Sequence, residues 1–190
     1  MPYITSQNAA ITAERNWLIS KQYQGQWSPA ERARLKDIAK RYKVKWSGNT
    51  RKIPWNTLLE RVDIIPTSMV ATMAAAESGW GTSKLARNNN NLFGMKCMKG
   101  RCTNAPGKVK GYSQFSSVKE SVSAYVTNLN THPAYSSFRK SRAQLRKADQ
   151  EVTATAMIHK LKGYSTKGKS YNNYLFAMYR DNQRLIAAHM

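Results

Sequence analysis

Apolar positions recur along most of this chain at three- and four-residue intervals, the spacing of helices buried on one face. From about Ser6 to Tyr23, Ile11, Trp17 and Leu18 stand among polar residues, and Gly25 follows as a stop. Ser28-Pro29-Ala30-Glu31 has the form of a helix start, with Ser as the cap, Pro in the first turn and Glu reaching back, and the predicted helix runs to about Tyr42. A basic connector, 43–52, leads to Pro54, which opens a helix through Leu58, Leu59 and Val62. Pro66 suits the first turn of the next. There Met69, Met73 and Glu77 share one face, and Ser78-Gly79-Trp80-Gly81 breaks the helix directly after Glu77.

The pattern then changes. A further turn or two of helix over 82–87 gives way to the polar run Asn88-Asn89-Asn90-Asn91. From Leu92 to Phe115, Gly94, Gly100, Pro106, Gly107 and Gly111 punctuate the chain, which predicts two or three short strands in a small β-lobe. Ser117 to Glu120 restarts helix, with Val122, Tyr125, Val126 and Leu129 as its stripe. Short helical pieces are expected over 135–138 and 142–146, a longer one over 151–161, and a final helix from Tyr171 to Ile186. The expected class is mainly α with one small β-hairpin lobe.

With 190 residues and 41% hydrophobic positions, the chain can bury a core without a metal or staple. No apolar run reaches the roughly 20 residues that span a bilayer. No signal peptide is visible at the start, which reads as either a cytoplasmic protein or a trimmed mature form. Charge changes the picture more. Lys and Arg number 31 against 10 Asp and Glu, a formal +21, so a polyanionic partner is expected: wall polymer, nucleic acid or anionic membrane. Cys97 and Cys102 flank a Lys99-Gly100 turn and could either bridge or stay as two thiols. His132, His159 and His189 are not at metal-ligand spacing, so neither metal nor cofactor is expected.

Glu77 is the candidate for chemistry. A carboxyl on an apolar face at a helix C-terminus meets two effects that favour its protonated form, burial and the partial negative charge of the helix end. A carboxylic acid that holds its proton near neutral pH can protonate the leaving oxygen of a glycosidic bond. Periodicity alone favours an ordinary helix-end residue making a surface hydrogen bond.

The stretch around it says more. Ala76-Glu77-Ser78-Gly79-Trp80-Gly81-Thr82-Ser83, then Leu85-Ala86 and Asn91-Leu92-Phe93-Gly94-Met95-Lys96, resembles the signature of the bacterial glucosaminidases. These peptidoglycan hydrolases are similar to the flagellar muramidase-like enzyme and the autolysins, and this chain looks closest to the Bax-like branch. The resemblance implies a lysozyme-like fold, with a helical lobe and the β-hairpin lobe flanking a cleft. It implies a catalytic domain over 54–190 and a helical extension over 1–53 packed on it.

The resemblance also implies Glu77 as general acid. Gly163-Tyr164-Ser165-Thr166 matches a family segment whose Tyr matters to catalysis, with Ser in place of Ala, which makes Tyr164 the second catalytic candidate. Trp80, Asn91, Tyr112 and Tyr171 are the candidates for substrate contact, and Phe93 reads as structural. No Asp or Glu lies between Gly94 and Lys119, and Glu120 has a capping role sufficient to explain it. A two-carboxylate mechanism is therefore in doubt, and attack by the substrate's own 2-acetamido group or by a water placed near Tyr164 takes its place. Asp149, Glu151 and Asp181 read as surface charges.

The implied activity is cleavage of a β-1,4 bond of peptidoglycan by an endo-β-N-acetylglucosaminidase, acting as a monomer in the periplasm or envelope. Muramidase and lytic transglycosylase are the alternatives on the same polymer. A basic nucleic-acid binder, using Arg139-Lys140, Arg142, Arg146-Lys147 and the 160–169 loop, is the less favoured rival, with a non-catalytic wall-binding module.

Overall fold

The computed structural model describes residues 2–97, 106–161, 164 and 168–189. Helices dominate them: α1 (Pro2–Ser20), α2 (Pro29–Arg41), α3 (Trp55–Arg61), α4 (Thr67–Ser78), α5 (Lys84–Asn89) and α6 (Val118–Thr131). A 3-10 turn (Pro133–Tyr135) leads into α7 (Ser136–Lys147), then α8 (Ala154–Ile158), α9 (Lys169–Asp181) and α10 (Gln183–Ala187).

The mainly helical class holds, and the differences are local. The first helix begins at Pro2 rather than near Ser6 and buries Ile4, Ile11 and Leu18 along one line. The two pieces expected within 135–146 are one helix, α7, preceded by the 3-10 turn. The helix expected over 151–161 is only the five residues of α8, capped by Thr153. The final helix is two, because the chain turns at Asn182 between α9 and α10. Between Leu92 and Phe115 an antiparallel bridge pairs Lys96 with Tyr112, and positions 98–105, where the rest of the expected β-lobe falls, lie outside the described residues.

Capping follows the sequence closely at α2. Ser28 accepts from the Glu31 N–H at 3.2 Å, and Glu31 accepts from the Ser28 N–H at 2.8 Å. At α6 only half of the box forms. Ser117 accepts from the Glu120 N–H, while the Glu120 carboxylate turns instead to the N–H and hydroxyl of Ser116.

The core sits around α4, which packs against α1, α8, α9 and α10. Its Met69, Val70 and Met73 are buried with Leu18, Leu35, Ile38 and Leu58 from the N-terminal helices and Tyr125, Val126 and Leu129 from α6. Part of the basic stretch of α7 turns inward. Arg139 and Arg142 are buried, with Arg142 donating to the carbonyls of Glu60, Asp63 and Ile64 at 2.8–3.2 Å. Arg139 donates to the carbonyls of Leu129 and His132. Two cations of the supposed phosphate-tracking row are therefore engaged inside the protein, which weakens the nucleic-acid reading. Asp149, Glu151 and Asp181 are exposed. Among the described residues, no helix is long and apolar enough to cross a membrane.

Candidate active site

Glu77 lies in the last turn of α4, and the residues after it explain why the helix stops there. Ser78 is buried. Its hydroxyl donates to the Ala74 carbonyl at 2.5 Å and accepts from the Gly81 N–H at 2.7 Å. Gly79, Trp80 and Gly81 all take positive φ (56°, 57° and 81°), a left-handed reversal that two glycines make without strain. The Trp80 N–H closes back on the Ala75 carbonyl at 2.9 Å, and Ser83 then caps α5. The motif thus ends a helix immediately beyond a carboxyl and turns the chain away from it.

The asparagine run performs a second structural task. Asn88, Asn89 and Asn90 donate side-chain hydrogens to the carbonyls of Gly107, Val109 and Phe115 at 2.7–3.1 Å. Asn89 also accepts from the Val109 N–H at 2.9 Å. Asn91, buried, donates to the carbonyls of Met95 and Ser113 and accepts from the Met95 N–H. These bonds fasten the 107–115 segment and the Leu92–Cys97 loop beside α4. That loop carries Gly94 (φ 61°) past Glu77. A Cβ built on Gly94 would lie 3.8 Å from Glu77 Oε2, an ordinary contact, so it is the left-handed φ that calls for glycine here while the backbone passes beside that oxygen.

Glu77 is half-buried on the wall of a cavity of about 530 Å³. Phe93, Gly94, Met95, Lys96 and Cys97 line it together with Tyr125, Asn128, His132, Tyr135 and Tyr164. Among these described lining residues Glu77 is the one carboxylate. Tyr171, from α9, donates its hydroxyl to Glu77 Oε1. An aromatic chain links the lining to Tyr171. Phe93 stacks on Tyr125 with ring centres 3.9 Å apart, Tyr125 meets Tyr164 edge-on at 6.3 Å, and Tyr164 stacks on Tyr171 at 5.5 Å. Tyr135 packs on Tyr164 at 6.1 Å.

Burial pushes the Tyr164 hydroxyl up from its ordinary value, and the Glu77 charge adds to this. Tyr171 is pushed up by burial first, then by its hydrogen bond to Glu77. Tyr135 is raised by burial and by Glu77. All three phenols stay neutral donors through the physiological range.

The site candidates thus divide. Glu77, Tyr164 and Tyr171 come together. Asn91 is a scaffold group away from the cavity, with its amide already partnered. Tyr112 does not line the cavity; it backs Lys96, whose ammonium donates to its hydroxyl at 3.0 Å and lies 4.2 Å from its ring centre. Trp80 is 56% exposed and lines a separate apolar groove of about 320 Å³ on another side of α4, with Ala71, Ala75 and Met178. Among the described residues no cysteine is free, and Cys102, the expected partner of Cys97, lies outside them. Gly163, Ser165 and Thr166 of the Tyr164 segment lie outside them as well.

Asn128, His132 and Tyr135 join the cavity without a signal in the sequence. They enter because α6 and the 3-10 turn end beside it, a placement no local pattern reveals. His132 Nδ1 accepts from the Ala134 N–H at 3.2 Å, so in the neutral ring Nε2 carries the hydrogen.

A family model described as Glucosaminidase, mannosyl-glycoprotein endo-beta-N-acetylglucosaminidase, matches residues 54–184. No solved structure matches the chain. The matched span covers more than half of the chain and contains Glu77, Tyr164 and Tyr171.

Proposed function

We propose that this chain, which belongs to the glucosaminidase family and is thereby a glycoside hydrolase acting on a glycan, cuts the β-1,4-linked strand of peptidoglycan as an endo-β-N-acetylglucosaminidase. The observation that carries the reading is Glu77, the one carboxylate among the described residues of the cavity, held through Oε1 by Tyr171. That bond leaves Oε2, beside Gly94, as the oxygen that holds and delivers the proton.

In the proposed reaction Glu77 gives its proton to the bridging oxygen as the C1–O bond breaks. The substrate's 2-acetamido oxygen attacks C1 and forms a cyclic oxazolinium. Water then opens this ring, with the Glu77 carboxylate taking the water's proton, and the new strand ends in a reducing N-acetylglucosamine. The absence of a second carboxylate among the described lining residues favours this route over a two-carboxylate one. Tyr164, a neutral donor beside Tyr171, is suited to orient the acetamido group or the water. We read the fold as lysozyme-like, with the Leu92–Cys97 loop as part of the second wall of the cleft, and Cys97 as joined to Cys102.

The family description names a mannosyl-glycoprotein; peptidoglycan is preferred here because a net charge of +21 suits an anionic wall and not a neutral mannose-rich glycan. A periplasmic or envelope location follows from that substrate. Peptidoglycan sacculi and a mannose-rich glycoprotein are the two substrates to compare. The enzyme is expected to release soluble fragments from sacculi, with N-acetylglucosamine at the new reducing end, and Glu77→Gln is expected to lower the rate by roughly 10²–10⁴-fold while folding normally. Muramic acid at that end identifies a muramidase, and a 1,6-anhydro end a lytic transglycosylase. Near-full activity of Glu77→Gln removes Glu77 as the acid.

A further inference from the structure

We infer that Lys96 is a binding residue for a carboxylate carried by the substrate, so that the enzyme prefers strands bearing free acid groups; this rests on the peptidoglycan reading above. Lys96 is the one Lys or Arg among the described residues that line the Glu77 cavity. It is exposed, and no ion pair engages it among the described residues. Yet it is not a free-swinging surface lysine. Its position in the chain is fixed by the antiparallel bridge to Tyr112, and the Ser113 hydroxyl donates to its carbonyl at 2.9 Å. Its ammonium is fixed as well, with one hydrogen on the Tyr112 hydroxyl and the charge near the ring face.

An ammonium has three hydrogens, and Tyr112 takes one. Two remain for a ligand. Holding a long side chain in one place costs rotamer freedom, which a neutral sugar hydroxyl offsets weakly and a carboxylate offsets through a charge-assisted bond. A peptidoglycan strand offers carboxylates from two sources. Stem peptides carry them, and a peptide-free strand exposes the lactyl acid itself. Lys96 suits either.

The test uses soluble glycan strands, with stem peptides and without, each compared with the same strand after its carboxylates are converted to amides. Wild type and Lys96→Gln are measured on all four, as two double cycles. Amidation is expected to raise the wild-type KM about tenfold and to leave the KM of Lys96→Gln unchanged. Lys96→Arg should keep the discrimination, and the wild-type effect should shrink as salt is raised. Coupling confined to strands with peptides assigns the stem carboxylates; coupling confined to peptide-free strands assigns the lactyl group. If amidation affects wild type and Lys96→Gln equally on both kinds of strand, the inference is wrong. A wild-type enzyme that creates no new reducing end on any strand instead sinks the peptidoglycan reading itself.

Discussion

At the scale of single residues, the arrangement at Glu77 depends on one hydrogen bond that sequence does not announce. Tyr171 sits 94 positions from Glu77 and reaches it because α9 packs on α4. If Tyr171 fixes the carboxyl so that Oε2 carries the proton, Tyr171→Phe should lower kcat and leave KM nearly unchanged. A hydrogen bond to an ionisable partner contributes roughly 1.5–3 kcal/mol, about ten- to a hundredfold in rate. Steady-state kinetics beside a thermal melt checks this; an unaltered kcat would show that packing alone aims the acid. The pH profile should owe nothing to the phenols, since Tyr164 and Tyr171 are both raised and remain protonated where the enzyme works. Glu77 itself is legible because a helix stop and a dense motif surround it. Asn128, His132 and Tyr135 are not, because their role comes from where α6 ends in space.

At the scale of elements, caps and turns are readable and long-range fastenings are not. Ser28 and Ser117 announce helix starts through local chemistry. The four asparagines look like a loop, yet their amides anchor residues four to twenty-five positions away. The charge cluster at Asp63 belongs to the same class. Asp63, between α3 and α4, is buried, pairs with Arg146 at 2.9 Å and Arg15 at 3.6 Å, and lies 3.7 Å from the buried Arg142. Burial lowers Arg142 to about 10, with Asp63 opposing the shift. Asp63→Asn leaves that guanidinium enclosed without its counter-charge. Removing one partner of a buried pair costs roughly 3–5 kcal/mol. Urea unfolding should show a loss of that order, and a second change, Arg142→Met, should restore part of it. A loss below about 1 kcal/mol would mean that Arg142 is carried by its carbonyl partners alone.

At the scale of the whole molecule, the span that matches the family and the span that makes one core are different. The match begins at residue 54. The core does not: Ile4, Ile11 and Leu18 of α1, Trp27, and Leu35 and Ile38 of α2 are buried in one cluster with α4 and α6. Arg15 donates to the carbonyls of Leu59 and Val62, and the Asn8 amide donates to the Ile65 carbonyl at 2.7 Å. Trp27 bridges Trp17 and Trp55 across the would-be boundary. Burying one large aliphatic side chain contributes about 1.5–3 kcal/mol, so losing several such contacts approaches the roughly 5–15 kcal/mol that typically separates folded from unfolded. A chain starting at residue 54 should therefore lack a cooperative thermal transition and bind a hydrophobic dye, although it keeps Glu77, Tyr164 and Tyr171. It should also be inactive on sacculi that the full chain digests. If the shortened chain melts cooperatively and cuts sacculi at the full rate, the N-terminal helices are an attached module and the catalytic core is complete without them.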